Sequence, residues 1–246
     1  MATFVLVHGA TVGGWCWRWV ERELRAAGHE VHTPTMTGLG ERAHLATPEV
    51  DLDTHINDIV NVMTYEDLRD VVLVGWSYGG MAVAGVADRL PERVVHVVYL
   101  DSDIPRDGDT SVPPSRHAAR EELARAFDGW RVPLGIDVDT TPPVAAWATW
   151  LELPREMRAW IAERIVPHPL KTWTQPIRLT GAAASIPTTY IRCTIGHDPT
   201  DEDTARQDDR IRSEPTWRYR EIAESHLCPW TAPGAVVELL VESIAN

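Results

Sequence analysis

The sequence has few features of a membrane protein or a nucleic-acid-binding protein. No apolar run reaches the roughly 18 residues that a membrane-spanning helix needs. Lysine and arginine number 23 against 36 aspartate and glutamate residues, for a net charge of −13. Nucleic acid and anionic membranes are bound by basic surfaces, so this balance argues against both partners.

Cysteine and metal-binding motifs are also scarce. The three cysteines, Cys16, Cys193 and Cys228, lie far apart and form no Cys-x-x-Cys pair, so we expect reduced thiols in a cytoplasmic protein. The ten histidines form no His-Glu-x-x-His motif, and the sequence predicts no metal site. Residues 1–9 lack the basic region and cleavage site of a signal peptide, and we interpret them as a first strand.

A Gly-x-Ser-x-Gly motif occupies residues 75–79, between an apolar run at 71–74 and a helical stretch from Met81. A serine between strand and helix in this pattern is typical of the nucleophile elbow. Glycines on both sides of Ser77 allow the strand and the helix to approach closely. The helix N-terminus favours the negative charge that develops during attack. Ser77 is therefore the predicted nucleophile.

Apolar runs alternate with helical segments over residues 1–103 and return after residue 186. This alternation predicts a parallel sheet with right-handed crossovers. The second and sixth strands, at 31–34 and 217–222, are the most polar, and edge strands tolerate polarity better than central ones. The sequence therefore predicts an α/β fold with a six-stranded, parallel, doubly wound sheet in the order 2-1-3-4-5-6.

Residues 104–185 interrupt the alternation. They hold ten of the 18 prolines and five of the 11 tryptophans, without a clear strand pattern. We interpret this segment as a helical cap inserted in a core made of residues 1–103 and 186–246. The cap tryptophans together indicate an apolar or aromatic pocket between cap and sheet. They are Trp130, Trp147, Trp150, Trp160 and Trp173.

A nucleophilic serine needs a base, and the base needs a carboxylate to orient it. The expected order along the chain is serine, acid, histidine. His226 follows the last predicted strand, where the base is expected. Asp198, after the fifth strand, is the favoured acid, with Asp201 and Asp203 close behind it. Asp101, at the end of the fourth strand, is the alternative position from which a carboxylate can reach that histidine.

The oxyanion of an acyl-transfer intermediate needs two preorganised donors. One candidate is the backbone N–H of Tyr78, directly after the nucleophile. The other is Ala10, in the loop His8-Gly9-Ala10 after the first strand. Gly9 lets the backbone come close, and His8 is expected to pack under the loop without taking part in the chemistry.

Motifs along about two thirds of the chain together resemble one group of enzymes. They are Phe4 to Ala10, Gly14-Trp15-Cys16-Trp17, Ala27-Gly28-His29, Thr37 to Arg42, Gly75 to Met81 and Tyr99-Leu100-Asp101, with a 28-residue gap between Asp198 and His226. The group is the branch of the α/β-hydrolase superfamily that holds plant methylesterases, hydroxynitrile lyases and bacterial pyrethroid-hydrolysing carboxylesterases. The resemblance implies an α/β-hydrolase core, a Ser77-Asp198-His226 triad and an oxyanion hole at Ala10 and Tyr78.

The cyanohydrin-cleaving members of this branch differ from the chain at two positions. They carry threonine where Gly9 stands and lysine directly after the histidine, where this chain has Leu227. That lysine would stabilise leaving cyanide, so the resemblance disfavours a lyase.

These features predict a cofactor-free serine ester hydrolase that acts on small to medium apolar or aromatic esters through an acyl-enzyme. One alternative is C–C or lactone chemistry on a natural product by the same triad. Another is a ligand-binding receptor on a hydrolase scaffold, and the intact triad counts against it. The expected partner is a small-molecule substrate, and the sequence leaves a homodimer open.

Overall fold

A computed structural model describes residues 1–140, 147–196 and 202–244. Its strands are β1 (Thr3–Val7), β2 (Glu30–His32), β3 (Val71–Trp76), β4 (Val94–Leu100), β5 (Arg131–Val132), β6 (His168–Pro169), β7 (Thr188–Ile195) and β8 (Trp217–Ser225). Six of them form one sheet in the order β2-β1-β3-β4-β7-β8, with every neighbouring pair parallel. Along the chain, β7 and β8 are the fifth and sixth strands of this sheet, because β5 and β6 pair separately. The predicted order 2-1-3-4-5-6 is therefore confirmed.

Burial explains why the central strands are apolar. Every residue of β3 is buried, because the sheet carries helices on both faces. The edge strand β8 has one buried residue among its first six, Ile222. The three residues of β2, at the opposite edge, include one exposed and one buried position. Polarity along the chain therefore identified the two edges correctly.

Helices cover both faces of the sheet. They are α1 (Arg18–Ala26), α2 (Leu52–Tyr65), α3 (Gly79–Arg89), α4 (His117–Phe127), α5 (Arg155–Ala162), α6 (Lys171–Thr174), α7 (Glu202–Ser213), α8 (Cys228–Thr231) and α9 (Pro233–Ile244). The apolar residues of α2 and α3 pack on one face, and those of α1 and α9 on the other. In the described part of the chain, no helix is long and apolar enough to cross a membrane.

The segment 104–185 contains α4, α5 and α6, together with a short antiparallel pair that the sequence did not predict. In that pair Arg131 is opposite Pro169, and Val132 is opposite His168. Strands of two residues are too short to show alternation, and their partners lie far apart in sequence. The segment contributes side chains to the hydrophobic clusters on both faces of the sheet: Trp173 packs in one cluster and Trp150 in the other.

Candidate active site

Ser77 lies at the turn between β3 and α3. Its φ is +57°, in the left-handed region that residues other than glycine rarely adopt. The turn leaves no room for side chains at positions 75 and 79. A Cβ on Gly75 would lie 2.7 Å from Cγ2 of Val83, and one on Gly79 would lie 2.6 Å from the carbonyl oxygen of Val7. The close approach of strand and helix thus holds the serine at the amino end of α3.

His226 follows β8 and is buried. Its Nδ1 lies 2.7 Å from Oδ2 of Asp101. The indole Nε1 of Trp76 donates a hydrogen bond to the carbonyl oxygen of His226 at 3.0 Å. The two rings also pack together, with centroids 5.3 Å apart. The residue before Ser77 therefore fixes the backbone of the predicted base.

Asp101 directly follows β4, and its φ is +42°. Its Oδ1 accepts a hydrogen bond from the N–H of Cys193 at 3.2 Å, and the guanidinium of Arg192 lies 3.8 Å from the same oxygen. Both contacts favour the ionised carboxylate. An ionised Asp101 requires the proton of a neutral His226 to be on Nδ1, so that Nε2 can accept a proton.

The described residues include Asp101, the alternative acid, but not Asp198, the favoured one, which stays a prediction. Asp198 and Asp201 lie outside the described residues, and the side chain of Asp203 is also outside the description. Among described side chains it is the alternative, Asp101, that reaches the imidazole. The physical reason is that β4 and β8 are parallel, so their carboxyl ends share one edge of the sheet.

The loop after β1 lies directly against Ser77, the predicted nucleophile. A Cβ on Gly9 would lie 3.0 Å from Cβ of Ser77. His8 packs under this loop: its Nδ1 donates to the Gly9 carbonyl oxygen at 2.8 Å, and its Nε2 accepts from the N–H of Met36 at 3.0 Å. Burial lowers the pKa of His8 to about 4, so the ring is neutral at pH 7 and keeps one tautomer.

The two expected oxyanion donors flank this contact. Ala10 follows Gly9, and Tyr78 follows Ser77. Within the described residues, neither backbone N–H donates to a protein acceptor. The hydroxyl oxygen of Tyr78 lies 2.9 Å from Nδ1 of His55. The expectation that the Ala10 and Tyr78 amides bind an oxyanion stays a prediction.

A buried histidine from segment 104–185 holds the same loop. The N–H of Thr11, whose φ is +65°, donates to Nδ1 of His168 at 3.1 Å. His168 stacks on Trp173 with centroids 4.6 Å apart. Burial lowers the pKa of His168 well below its usual value, so the proton is on Nε2. The sequence did not identify His168, because this residue lies in no motif and its contact spans 157 residues.

A cavity of about 90 Å³ is lined by both Ser77 and His226. It is smaller than the ~150 Å³ apolar cavity that holds benzene in a well-studied case, so it fits a short acyl group. Other residues on its wall come from the β1 loop and from segment 104–185. They include Gly9, Ala10, Thr11, Arg120, Leu134, Trp147 and Trp173.

The other three tryptophans of segment 104–185 pack against protein groups. Trp150 is fully buried, and its Nε1 donates to the carbonyl oxygen of Asp137. Trp160 packs edge-on against Trp15. Trp130 lies beneath the guanidinium of Arg131. The aromatic pocket predicted from the five tryptophans therefore involves two of them, Trp147 and Trp173.

Known proteins resemble this chain in sequence. Residues 4–239 match the alpha/beta hydrolase family. A carbendazim hydrolyzing esterase of Nocardioides sp. (strain SG-4G) is 40% identical over 199 residues, which cover 81% of this chain and 82% of that protein. Methylesterase 8 of Arabidopsis thaliana is 34% identical over 113 residues, which cover 46% of this chain and 40% of that protein.

Solved structures resemble the chain in fold. An extracellular alpha/beta-hydrolase from a Paenibacillus species superposes with a TM-score of 0.81 at 22% identity, over 100% of both chains. A pyrethroid hydrolase from Sphingobium faniae JZ-2 has a TM-score of 0.69 at 21% identity, over 100% of this chain and 98% of the other. The fold and the sequence match agree: this chain belongs to the alpha/beta hydrolase family and is an esterase-like hydrolase.

Proposed function

We propose that the chain hydrolyses small carboxylic esters through an acyl-enzyme on Ser77. The observation that carries this proposal is the placement of His226, which contacts Asp101 and lines one small cavity with Ser77. In this arrangement His226 is the general base and Asp101 is the carboxylate that orients it. Asp198, favoured from the sequence, stays a prediction.

The reaction follows from these positions. The Ser77 hydroxyl attacks the ester carbonyl while its proton passes to Nε2 of His226. The resulting oxyanion accepts hydrogen bonds from the N–H groups of Ala10 and Tyr78. The alcohol leaves with the proton from His226, and water then attacks the acyl-enzyme by the same route. Acid, alcohol and free Ser77 result.

The volume of the cavity limits the size of the acyl group that a substrate can have. A volume of about 90 Å³ fits a short acyl chain, and the indole rings of Trp147 and Trp173 supply apolar walls. Carbendazim is a second candidate substrate to assay, because a relative 40% identical to this chain is named for its hydrolysis.

Hydrolysis of p-nitrophenyl acetate and butyrate, measured beside Ser77→Ala, tests the proposal. We expect the variant to lose at least a thousandfold in kcat, because removal of a triad nucleophile leaves only the residual catalysis of the oxyanion site. The cavity predicts a higher kcat/KM for acetate than for butyrate. Equal rates for the two proteins would contradict the proposed role of Ser77, and tight ester binding without turnover would favour a receptor.

A further inference from the structure

A guanidinium lies at the wall of the cavity that Ser77 lines. Arg120 is on α4, and its Cζ lies 5.0 Å from the ring centroid of Trp173. The side chain is half-buried. Within the described residues, Arg120 forms no ion pair and donates no hydrogen bond.

Among the half-buried arginines that the structure describes, this absence of a partner is unusual. Comparable half-buried arginines have fixed acceptors: Arg42 pairs with Asp58 and Arg131 with Asp128. Acidic residues outnumber basic ones by 13, so carboxylates are plentiful. Burial, and secondarily the charge of Arg116, lowers the pKa of Arg120, yet a guanidinium stays charged at any working pH. A cation is therefore held at the cavity without a counter-ion from the described protein.

The ring of Trp173 positions this cation near the loop after β1, which carries the proposed oxyanion donor Ala10. Trp173 carries the guanidinium on one side and stacks on His168. His168 in turn accepts the hydrogen bond of the Thr11 N–H, next to Ala10. Cation–π contact stabilises a guanidinium but satisfies none of its five N–H donors. Those donors suit a carboxylate, which a guanidinium binds through two parallel hydrogen bonds.

We propose that Arg120 binds a free carboxylate on the acyl part of the substrate. This rests on the proposed ester hydrolysis and names its substrate class: half-esters of short dicarboxylic acids. We place the carboxylate on the acyl side because Arg120 lines the same cavity that is proposed to hold the acyl group. The volume of about 90 Å³ allows few bonds between this carboxylate and the scissile carbonyl. Hydrolysis of such a half-ester consumes one water and yields the dicarboxylate, the alcohol and one proton.

A matched pair of esters tests the proposal. Monomethyl succinate carries the carboxylate, and methyl 4-methylpentanoate replaces it with an uncharged isopropyl group of similar shape. We expect the wild-type protein to hydrolyse the half-ester with a kcat/KM about tenfold to a hundredfold higher, which is the range for a charge-assisted pair. Proton release in a pH-stat measures both reactions.

Three variants assign the preference to one side chain. Arg120→Met removes the guanidinium and should abolish the preference for the half-ester. Arg120→Lys, which keeps the charge but lacks the fork of donors, should retain part of it. Arg116→Met removes an equal charge from an exposed neighbouring site and should retain the preference in full.

The outcomes separate this inference from the proposed function. If the wild-type protein prefers the neutral ester, or if Arg120→Met and Arg120→Lys both keep the wild-type ratio, the inference is wrong while ester hydrolysis stands. If Ser77→Ala hydrolyses the neutral ester as fast as the wild-type protein, the proposed function is wrong. Should Arg120→Met fail to fold, the ratio measured for Arg120→Lys against Arg116→Met decides the question.

Discussion

The indole of Trp76 fixes the backbone of His226 from 150 residues away along the chain. Its Nε1 donates to the His226 carbonyl oxygen at 3.0 Å, and its ring packs on the imidazole. Because Trp76 immediately precedes Ser77, one short segment both presents the proposed nucleophile and holds the proposed base.

Trp76→Phe should therefore lower kcat about tenfold, with a smaller effect on KM. The reason is the loss of one buried hydrogen bond, worth about 1–2 kcal/mol, at the residue that carries the base. Steady-state kinetics with p-nitrophenyl acetate measure the effect. Trp17→Phe is the matched control, since Trp17 is equally buried and packs against Trp76, but its Nε1 has no partner among the described residues. Equal losses in both variants would show that only packing matters.

The orienting carboxylate is tested by two separate exchanges. Asp101→Asn keeps the shape of the side chain but removes the charge that selects the tautomer of His226, so kcat should fall about 10³- to 10⁴-fold. Asp198→Asn should stay within about threefold of wild type. The reverse pattern, an inactive Asp198→Asn beside an active Asp101→Asn, would identify Asp198 as the acid, as favoured from the sequence.

The hydrogen bond from the Thr11 N–H to His168, beside the proposed oxyanion donor Ala10, predicts different rates for two substitutions of this histidine. His168→Leu removes the acceptor of the Thr11 N–H, so the loop at Ala10 loses its anchor and kcat should fall about tenfold to a hundredfold. His168→Asn can place a carbonyl oxygen near the same N–H and should recover part of the rate. Stopped-flow acylation rates report the loss directly, and a rate unchanged in His168→Leu would exclude this role.

Asp103 predicts a pH-dependent change in stability. Burial raises its pKa from 3.8 to about 6, while a hydrogen bond from Ser111 and the charge of His226 act in the opposite direction. The folded state thus holds a proton that the unfolded state releases near pH 4. The free energy of unfolding consequently falls as the pH rises from about 4 to 6, and it stays lower above that window.

Asp103→Asn removes this penalty. The variant should be more stable than wild type by about 1–2 kcal/mol at pH 8, and the difference should disappear near pH 4. Urea unfolding at both pH values measures it. Glu92→Gln, an exchange at an exposed position, is the control and should show no such dependence on pH. A stabilisation of Asp103→Asn that is larger at pH 4 than at pH 8 would contradict the account.

The sheet was predictable from the sequence because its strands are buried on both faces. Continuous apolar runs such as β3 and β4 identify central strands, and the polar β2 and β8 identify the edges. The elbow at Ser77 was predictable because the Gly-x-Ser-x-Gly motif lies directly between an apolar run and a helical stretch. These signals are local, so the chain alone carries them.

The rest of the site depends on contacts between distant residues. Asp101 and Asp198 both follow strands that end at one edge, and the sequence does not say which carboxylate reaches His226. His168 contacts Thr11 across 157 residues, and Arg120 lies on a helix of segment 104–185 that carries no motif. Such contacts are set by how that segment packs on the sheet, so the structure is needed to see them.

The proposed chemistry depends on an activated hydroxyl at Ser77. Treatment with a fluorophosphonate, followed by intact-protein mass spectrometry and peptide mapping, detects such a hydroxyl. We expect one adduct per chain, on Ser77, formed in step with the loss of esterase activity and absent from Ser77→Ala. An unlabelled Ser77 in a protein that still hydrolyses esters would contradict it.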